Sequence, residues 1–197
     1  MDYIASILRM AAARNGFVTS AEVTEAGIPR RCLTKAVEDG LLLKAERGLY
    51  MLPDAWEDEL LVLQHRFKRG VFSHETALFL HGLTDRTPAE FTMTFPHGYN
   101  AKSAQAAGIV VKKSIERHHS LGLCAVETPY GNEVFAYDIE RTLCDIVRGD
   151  GSLDVQLVNP AMKAYAASKD KNVNKLLRYA KEMGSERKIK TYMGVLL

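Results

Sequence analysis

The stretch TSAEVTEAGIPRRCLTKAVEDGLLLKAERGLY, Thr19 to Tyr50, decides the fold. Thr19 followed three residues later by Glu22 is a capping box, in which each side chain satisfies the other residue's backbone N–H at a helix start. Gly27 ends that helix, because glycine enters the left-handed backbone region without the steric cost of a Cβ. Pro29 is expected in the first turn of a second helix, where its missing N–H is not needed. Along that helix Leu33, Ala36 and Val37 recur at helical spacing and face a core, with Arg30, Arg31, Thr34, Lys35 and Glu38 on the other side. Gly40 closes it. Leu42 to Met51 then reads as a strand, a Glu46-Arg47-Gly48 turn and a second strand. Helix, tight turn, basic-faced helix and a hairpin with an arginine at its tip form the pattern of a winged helix-turn-helix, whose second helix enters the DNA major groove with the wing alongside.

A charged helix face by itself only keeps a domain soluble. The ordered turn chemistry and Arg47 are what turn the reading towards double-stranded DNA. Arg30 and Arg31, at the start of the second helix, are placed to reach guanine edges or phosphates, and Thr34 and Lys35 follow about a turn later. Lys44 and Arg47 on the wing would meet backbone or minor groove. Ser20 and the first N–H groups of the capped helix are candidates to hold a phosphate.

Outward from this stretch, residues 2–14 form a supporting helix, with Ile4, Ile7, Leu8 and Ala11 or Ala12 on one face; two short helices alone are marginal. Asn15-Gly16 stops it and Phe17-Val18 crosses into the core. Leu52-Pro53-Asp54 is the best boundary, so residues 1–53 are expected to be the winged helix-turn-helix domain and residues 54–197 a larger mixed α/β domain ending in helices. The fold class is α+β. In the second part, Glu57–Arg69 is an amphipathic helix ended by Gly70, and Ser73–Leu80 a helix with Ser73 as its cap. Glu90–Phe95 alternates as a half-buried strand closed by Pro96, and Lys102–Ala107 is a short helix. Ile109–Val111 is a strand, and Leu121–Glu127 with Glu133–Tyr137 is a hairpin across Pro129-Tyr130-Gly131-Asn132. Asp138 caps a helix through Val147 with Ile139, Leu143, Ile146 and Val147 inward. Helices over Leu153–Ala167 and Val173–Met183 and a short end segment complete the chain.

At 197 residues, with 47% hydrophobic and 25% charged residues, the chain has the composition of a globular protein of one or two domains. No apolar run approaches the roughly 18 residues that span a bilayer, and the N-terminus has no signal-peptide pattern. Three widely spaced cysteines, Cys32, Cys124 and Cys144, fit a reduced cytoplasmic protein better than a disulfide framework. Cys32 and Cys144 lie in apolar helical patterns and are expected to be buried. The net charge of +2 is unevenly spread, at +1 over residues 1–53, −5 over 54–159 and +6 over 160–197. A basic tail behind an acidic middle suggests a second surface facing a polyanion or an acidic partner.

Signatures of catalysis are missing: there is no phosphate-binding glycine loop, zinc-protease helix or GxSxG. His74 and His81 lie two turns apart, and His118 and His119 point apart, so neither pair makes a metal site, and packing or capping is the default. Glu140 and Asp145 fall on different faces of one helix and make a poor catalytic pair. No cofactor is implied.

The chain resembles the AbiEi antitoxins of bacterial abortive-infection systems, antiviral-defence modules similar to type IV toxin–antitoxin pairs. The resemblance is carried by the N-terminal winged helix, by SHETALFLHGLTD (Ser73 to Asp85) with EFTMTFPHG (Glu90 to Gly98), and by YDIERTLCDIVR (Tyr137 to Arg148). It implies an N-terminal domain that represses its own operon, and a C-terminal domain that opposes a cognate nucleotidyltransferase toxin without needing a stable complex. Ser73, Glu75, Thr76, Arg141, Thr142 and Asp145 match the family's patterned polar positions, either as contacts to a partner or as structure. A helix cap at Ser73 and a buried Arg141–Asp145 pair are the structural alternatives. A second candidate for the antitoxic surface is the basic tail, Lys171, Lys175, Arg178, Lys181, Arg187, Lys188 and Lys190, facing an acidic surface or RNA. The competing expectation is a winged-helix regulator whose C-terminal domain only dimerises or senses a ligand.

Overall fold

The capping box at Thr19 forms as the sequence requires: Thr19 Oγ1 accepts the Glu22 N–H at 3.2 Å and the Glu22 carboxylate accepts the Thr19 N–H at 2.8 Å. In the computed structural model, which describes residues 2–148 and 155–196, the chain is a mixed α+β protein. Its internal contacts separate it into two units, Met1–Lys68 with Glu127–Val134, and Arg69–Val126 with Phe135–Leu197.

The first unit begins with α1 (Tyr3–Ala12), capped by Asp2, and continues through β1 (Phe17–Thr19), α2 (Ser20–Glu25) and α3 (Arg31–Glu38). β2 (Leu43–Glu46) and β3 (Leu49–Met51) follow as the hairpin. Asn15 and Gly16 both take positive φ, 50° and 91°, which reverses the chain into β1. The expected position of Pro29 is corrected: Arg30 is the N-cap of α3, and Pro29 stands before it with its carbonyl accepting the Cys32 N–H at 2.9 Å. Phe17-Val18 proves to be a strand. It pairs antiparallel with β3, giving a sheet of order β1-β3-β2 in which Phe17 lies opposite Met51. The core under α1, α2 and α3 is Ile7, Ala11, Val18, Val23, Ile28, Leu33, Ala36 and Leu42. Cys32 is half-buried at its edge, whereas Cys144 in the second unit is buried.

The same unit continues beyond residue 53. In α4 (Glu59–Arg66), Leu61 and Val62 pack on a second apolar cluster of Phe17, Leu49 and Met51. This helix ends at Phe67, not at Gly70. Gly70 instead serves close packing, since a Cβ there would stand 2.7 Å from Met93 Cε and 2.8 Å from Phe95 Cζ. Asp58, 1% exposed, caps α4 through the Leu61 N–H. Its other oxygen accepts Thr128 Oγ1–H at 2.6 Å and Asn132 Nδ2–H at 2.8 Å, which binds the 127–134 segment into this unit. A buried carboxylate with three donors is satisfied where an unpaired one would be costly.

The second unit is built on a five-stranded sheet of order β6-β5-β4-β8-β7. Its strands are β4 (Val71–Phe72), β5 (Thr92–Pro96), β6 (Val110–Ser114), β7 (Leu123–Glu127) and β8 (Glu133–Tyr137), the last residue of β7 and the first two of β8 being grouped with the first unit. β5 runs antiparallel to β4 and parallel to β6, while β4 runs parallel to β8. Every residue of β5 is buried, a correction to the half-buried alternation expected for it: the strand pairs on both edges, and such interior strands read as near-continuous apolar runs. α5 (His74–Leu80), α6 (Lys102–Ala106) and α7 (Glu116–His119) connect the strands.

α8 (Ile139–Arg148) is the hub of the helical half, with Glu140 to Val147 all buried. α9 (Val155–Ala167), α10 (Val173–Met183) and α11 (Glu186–Leu196) pack their Met162, Tyr165, Leu176, Met183 and Ile189 against Leu143, Cys144 and Val147. The expected start of a helix at Leu153 lies outside the described residues. Among the described residues no helix is long and apolar enough to cross a membrane.

Candidate functional site

In the first unit, burying Leu33 and Ala36 turns Arg30, Arg31, Thr34, Lys35 and Glu38 of the α3 segment outward, and all five are exposed. Arg30 is tethered: its Nε donates to Thr24 Oγ1 at 2.9 Å, and that hydroxyl donates to the Ser20 carbonyl at 2.7 Å. Lys35 is not a free cation, because its Nζ lies 2.6 Å from Asp39 Oδ1 one turn on, a contact that raises its pKa. An exposed pair of this kind is weak and exchanges readily for a phosphate. Arg31 has no carboxylate partner among the described residues. Lys44 and Arg47 are exposed on the hairpin, and the turn relies on Gly48 at φ 81°.

Ser20 is placed differently from expectation. Its N–H is already given to the Gly48 carbonyl at 2.9 Å, and the Glu22 N–H to the capping threonine. The N-terminus of α2 therefore has few N–H groups left for an anion, although the Ser20 residue lines a shallow cleft with Arg47, His65, Arg66 and Lys68. In that cleft the His65 ring lies 3.1 Å from the Arg47 carbonyl, and Arg66 lies 3.7 Å from Glu46. The exposed cations Arg66 and Lys68 beside the hairpin, and the half-buried His65 between them and the turn, were missed. The signal was present in the run QHRFKR at the end of α4, Gln64 to Arg69.

In the second unit the three quoted motifs meet. Ser73 occupies the N-cap position of α5, yet its hydroxyl makes no capping bond. It accepts from Thr94 Oγ1 at 2.8 Å and lies 3.1 Å from His74 Nδ1. Thr76, buried in α5, accepts the Thr92 N–H at 2.8 Å, so the helix is latched to β5 by two side chains. Glu75 is half-buried in the first turn. Thr142 Oγ1 donates to the Tyr137 carbonyl at 3.2 Å.

Arg141 is 2% exposed. Its Nε pairs with Asp145 Oδ2 at 3.0 Å, and its Nη1 donates to the carbonyls of His118 and Leu121. Its guanidinium lies 4.1 Å from the centre of the Tyr137 ring. Gly122 permits this: at φ 75° it leaves open the space where a Cβ would approach Arg141 Cβ to 2.7 Å. Burial pushes the Asp145 carboxyl up to about 6, against the opposing pull of Arg141.

His74 sits at φ 53°, a left-handed conformation that costs a non-glycine residue on the order of 1–2 kcal/mol. Burial, and then the charges of Lys112 and Arg141, lower its pKa to about 3 from 6.5. A histidine kept neutral in the folded state gives stability that is present above its unfolded pKa and is lost as the pH falls through 6.5 towards 3. Between pH 7 and pH 5 this group should cost the protein on the order of 2 kcal/mol. His74→Asn, which tolerates the left-handed backbone, should lose that much less over the same interval in urea unfolding. An equal loss in both proteins would refute the assignment.

The basic tail divides. Lys175 is turned in, with its Nζ 3.0 Å from Asp138 and 3.1 Å from Glu140. Burial opposes its charge, but the two carboxylates outweigh that and hold its pKa above the usual range. Lys190 pairs with Glu186 at 2.7 Å, and Lys171 donates to the Ser168 carbonyl at 3.1 Å. Arg178, exposed, lies over the Tyr179 ring. Lys181, Arg187 and Lys188 are exposed.

A search of curated proteins finds no match. The crystal structure of the RV2827C protein from Mycobacterium tuberculosis is similar in fold, with a TM-score of 0.59 at 15% identity, covering 98% of this chain and 81% of that one. Residues 6–53 match the family described as "Transcriptional regulator, AbiEi antitoxin". That span runs from within α1 to just past β3, and it contains the capping box, the basic face of α3 and the hairpin. It is over this N-terminal span that the chain is similar to the AbiEi antitoxin family of transcriptional regulators.

Proposed function

We propose that the chain is an antitoxin that represses its own operon, with α1–α3 and the β2–β3 hairpin acting as a winged helix-turn-helix on double-stranded DNA. α3 is the recognition helix in this reading, with Arg30, Arg31, Thr34 and Lys35 towards the major groove and Lys44 and Arg47 of the wing towards the backbone. Ser20 is a lesser phosphate contact, and His65, Arg66 and Lys68 widen the basic face. The observation that carries the reading is the exposed, cation-bearing side of α3 behind a fully apolar inner side, within the span that matches a transcriptional-regulator family. Phosphate contacts dominate affinity and base contacts specify. Residues 1–53, at a net +1, must therefore depend on where these few cations stand.

The remainder of the chain, drawn from residue 54 onward, is proposed as the part that opposes a nucleotidyltransferase toxin in the cytoplasm, acting without catalysis or cofactor. Its exposed tail cations, Arg178, Lys181, Arg187 and Lys188, are the candidates for an acidic partner or RNA; Lys175 is withdrawn from that set by its ion pairs. Fluorescence anisotropy with DNA from upstream of the gene tests the first part, and co-expression with the neighbouring toxin gene tests the second. Specific, salt-sensitive binding and rescue of growth are expected. Binding no tighter than to unrelated DNA would remove the repressor reading, and failure of rescue by folded protein would remove the antitoxin reading.

A further inference from the structure

In the second unit, a cleft of about 340 Å³ opens where the three motifs converge. It falls within the roughly 300–1,000 Å³ typical of small-molecule sites. One wall is the edge of the sheet. Thr94 lies opposite Lys112 in the β5–β6 register, and side chains alternate along a strand, so Thr94, Lys112 and Ser114 share one face. The other wall is α8, whose Arg141, Asp145 and Arg148 follow at helical spacing and also line the cleft. His74 closes the end.

Three features give this cleft a preference for anions. Arg141 is already neutralised by Asp145, so the positive charge comes from Lys112, Lys113 and Arg148, which line the cleft and pair with no carboxylate among the described residues. The Ser73 hydroxyl accepts from Thr94, so its own hydrogen is free to go to His74 Nδ1. The neutral ring then carries its proton on Nε2, which has no partner among the described residues and is left as a donor. The backbone at His74 is held in a left-handed conformation, the kind of local strain that persists where the surroundings impose it, as at ligand clamps.

We propose that this cleft binds a phosphate group of a nucleotide, with Lys112, Lys113 and Arg148 as its cations, His74 as a hydrogen-bond donor, and Ser114 as a second donor once its hydroxyl leaves the long 3.3 Å bond to the Ile115 carbonyl. The phosphate can belong to a free nucleotide or to an RNA chain, because both present the same oxygens. The site is independent of the DNA-binding reading of the first unit.

The test is isothermal titration of the full chain with inorganic phosphate, GTP and a short single-stranded RNA in parallel. Binding of GTP or of the RNA is expected, with phosphate alone weaker, and the tighter of the two identifies the source. Lys112→Ala and Ser114→Ala should weaken that binding at least tenfold and about threefold, respectively. Lys102→Ala, which removes an exposed lysine of α6 that does not line the cleft, should alter it less than twofold. Circular dichroism of each variant should match the parent. Absence of binding by all three probes at millimolar concentration overturns the proposal, as does equal weakening by the two lysine variants, which would mean bulk charge and not the cleft.

Discussion

Arg141→Met is expected to destabilise the protein by about 3–5 kcal/mol, the usual cost of removing one partner of a buried ion pair. Methionine keeps the length of the side chain but none of its donors. Asp145, 8% exposed, would lose the only cation bonded to it among the described residues, and the carbonyls of His118 and Leu121 would lose their donor. The stacked contact with Tyr137 would go as well. The double variant Arg141→Met, Asp145→Leu should recover part of the loss, since a buried pair replaced by apolar residues is often near neutral. It should not recover all of it, because the two carbonyls stay unpaired. Urea unfolding followed by circular dichroism measures both. A loss below about 1 kcal/mol for the single variant would show that the pair does not hold this part of the fold.

The second large effect is on DNA. Arg30→Ala with Arg31→Ala should lower affinity for the operator by roughly 10- to 100-fold and flatten the dependence of log K on log salt by about two units, one for each lost phosphate contact. The two arginines are not equivalent. Arg30 is held by Thr24, so it is oriented in advance but must keep or trade that bond, whereas Arg31 is unrestrained. Arg31→Ala alone should therefore take about one unit off the salt slope, and Arg30→Ala should cost more of the sequence discrimination. Arg47→Ala at the hairpin tip should cost only a few-fold. If the double variant bound operator as tightly as the parent, α3 would not be the recognition helix.

Local chemistry made much of the first unit legible. A capping box, glycines at positive φ after α1, α2 and α3 and an Arg-Gly turn act over three or four residues, and α1, α2, α3 and the hairpin form where those signals stand. The same holds for Asp138, whose carboxylate accepts the Arg141 N–H at the start of α8. Signals that require a partner far along the chain were not legible. β4 is two residues long and exists only because β5 and β8 flank it. Ser73 looked like a cap because serine before a helix usually is one, but Thr94, 21 residues on, occupies its hydroxyl instead. Lys175 looked like a surface cation, and only the packing of α10 on α8 shows that Asp138 and Glu140 hold it.

The sequence by itself determined the elements around Thr19–Tyr50, the exposed cations of α3 and the resemblance carried by three motifs, because each of these rests on spacing within a turn or two of backbone. Tertiary structure alone decided that α4 packs with the first unit, that Arg141 is a buried hub, and that His74, Thr94, Lys112 and Arg148 share one cleft. These outcomes depend on which faces meet across tens of residues. No local rule encodes that choice; it follows from burying the apolar faces of several elements at once, with their polar groups paired.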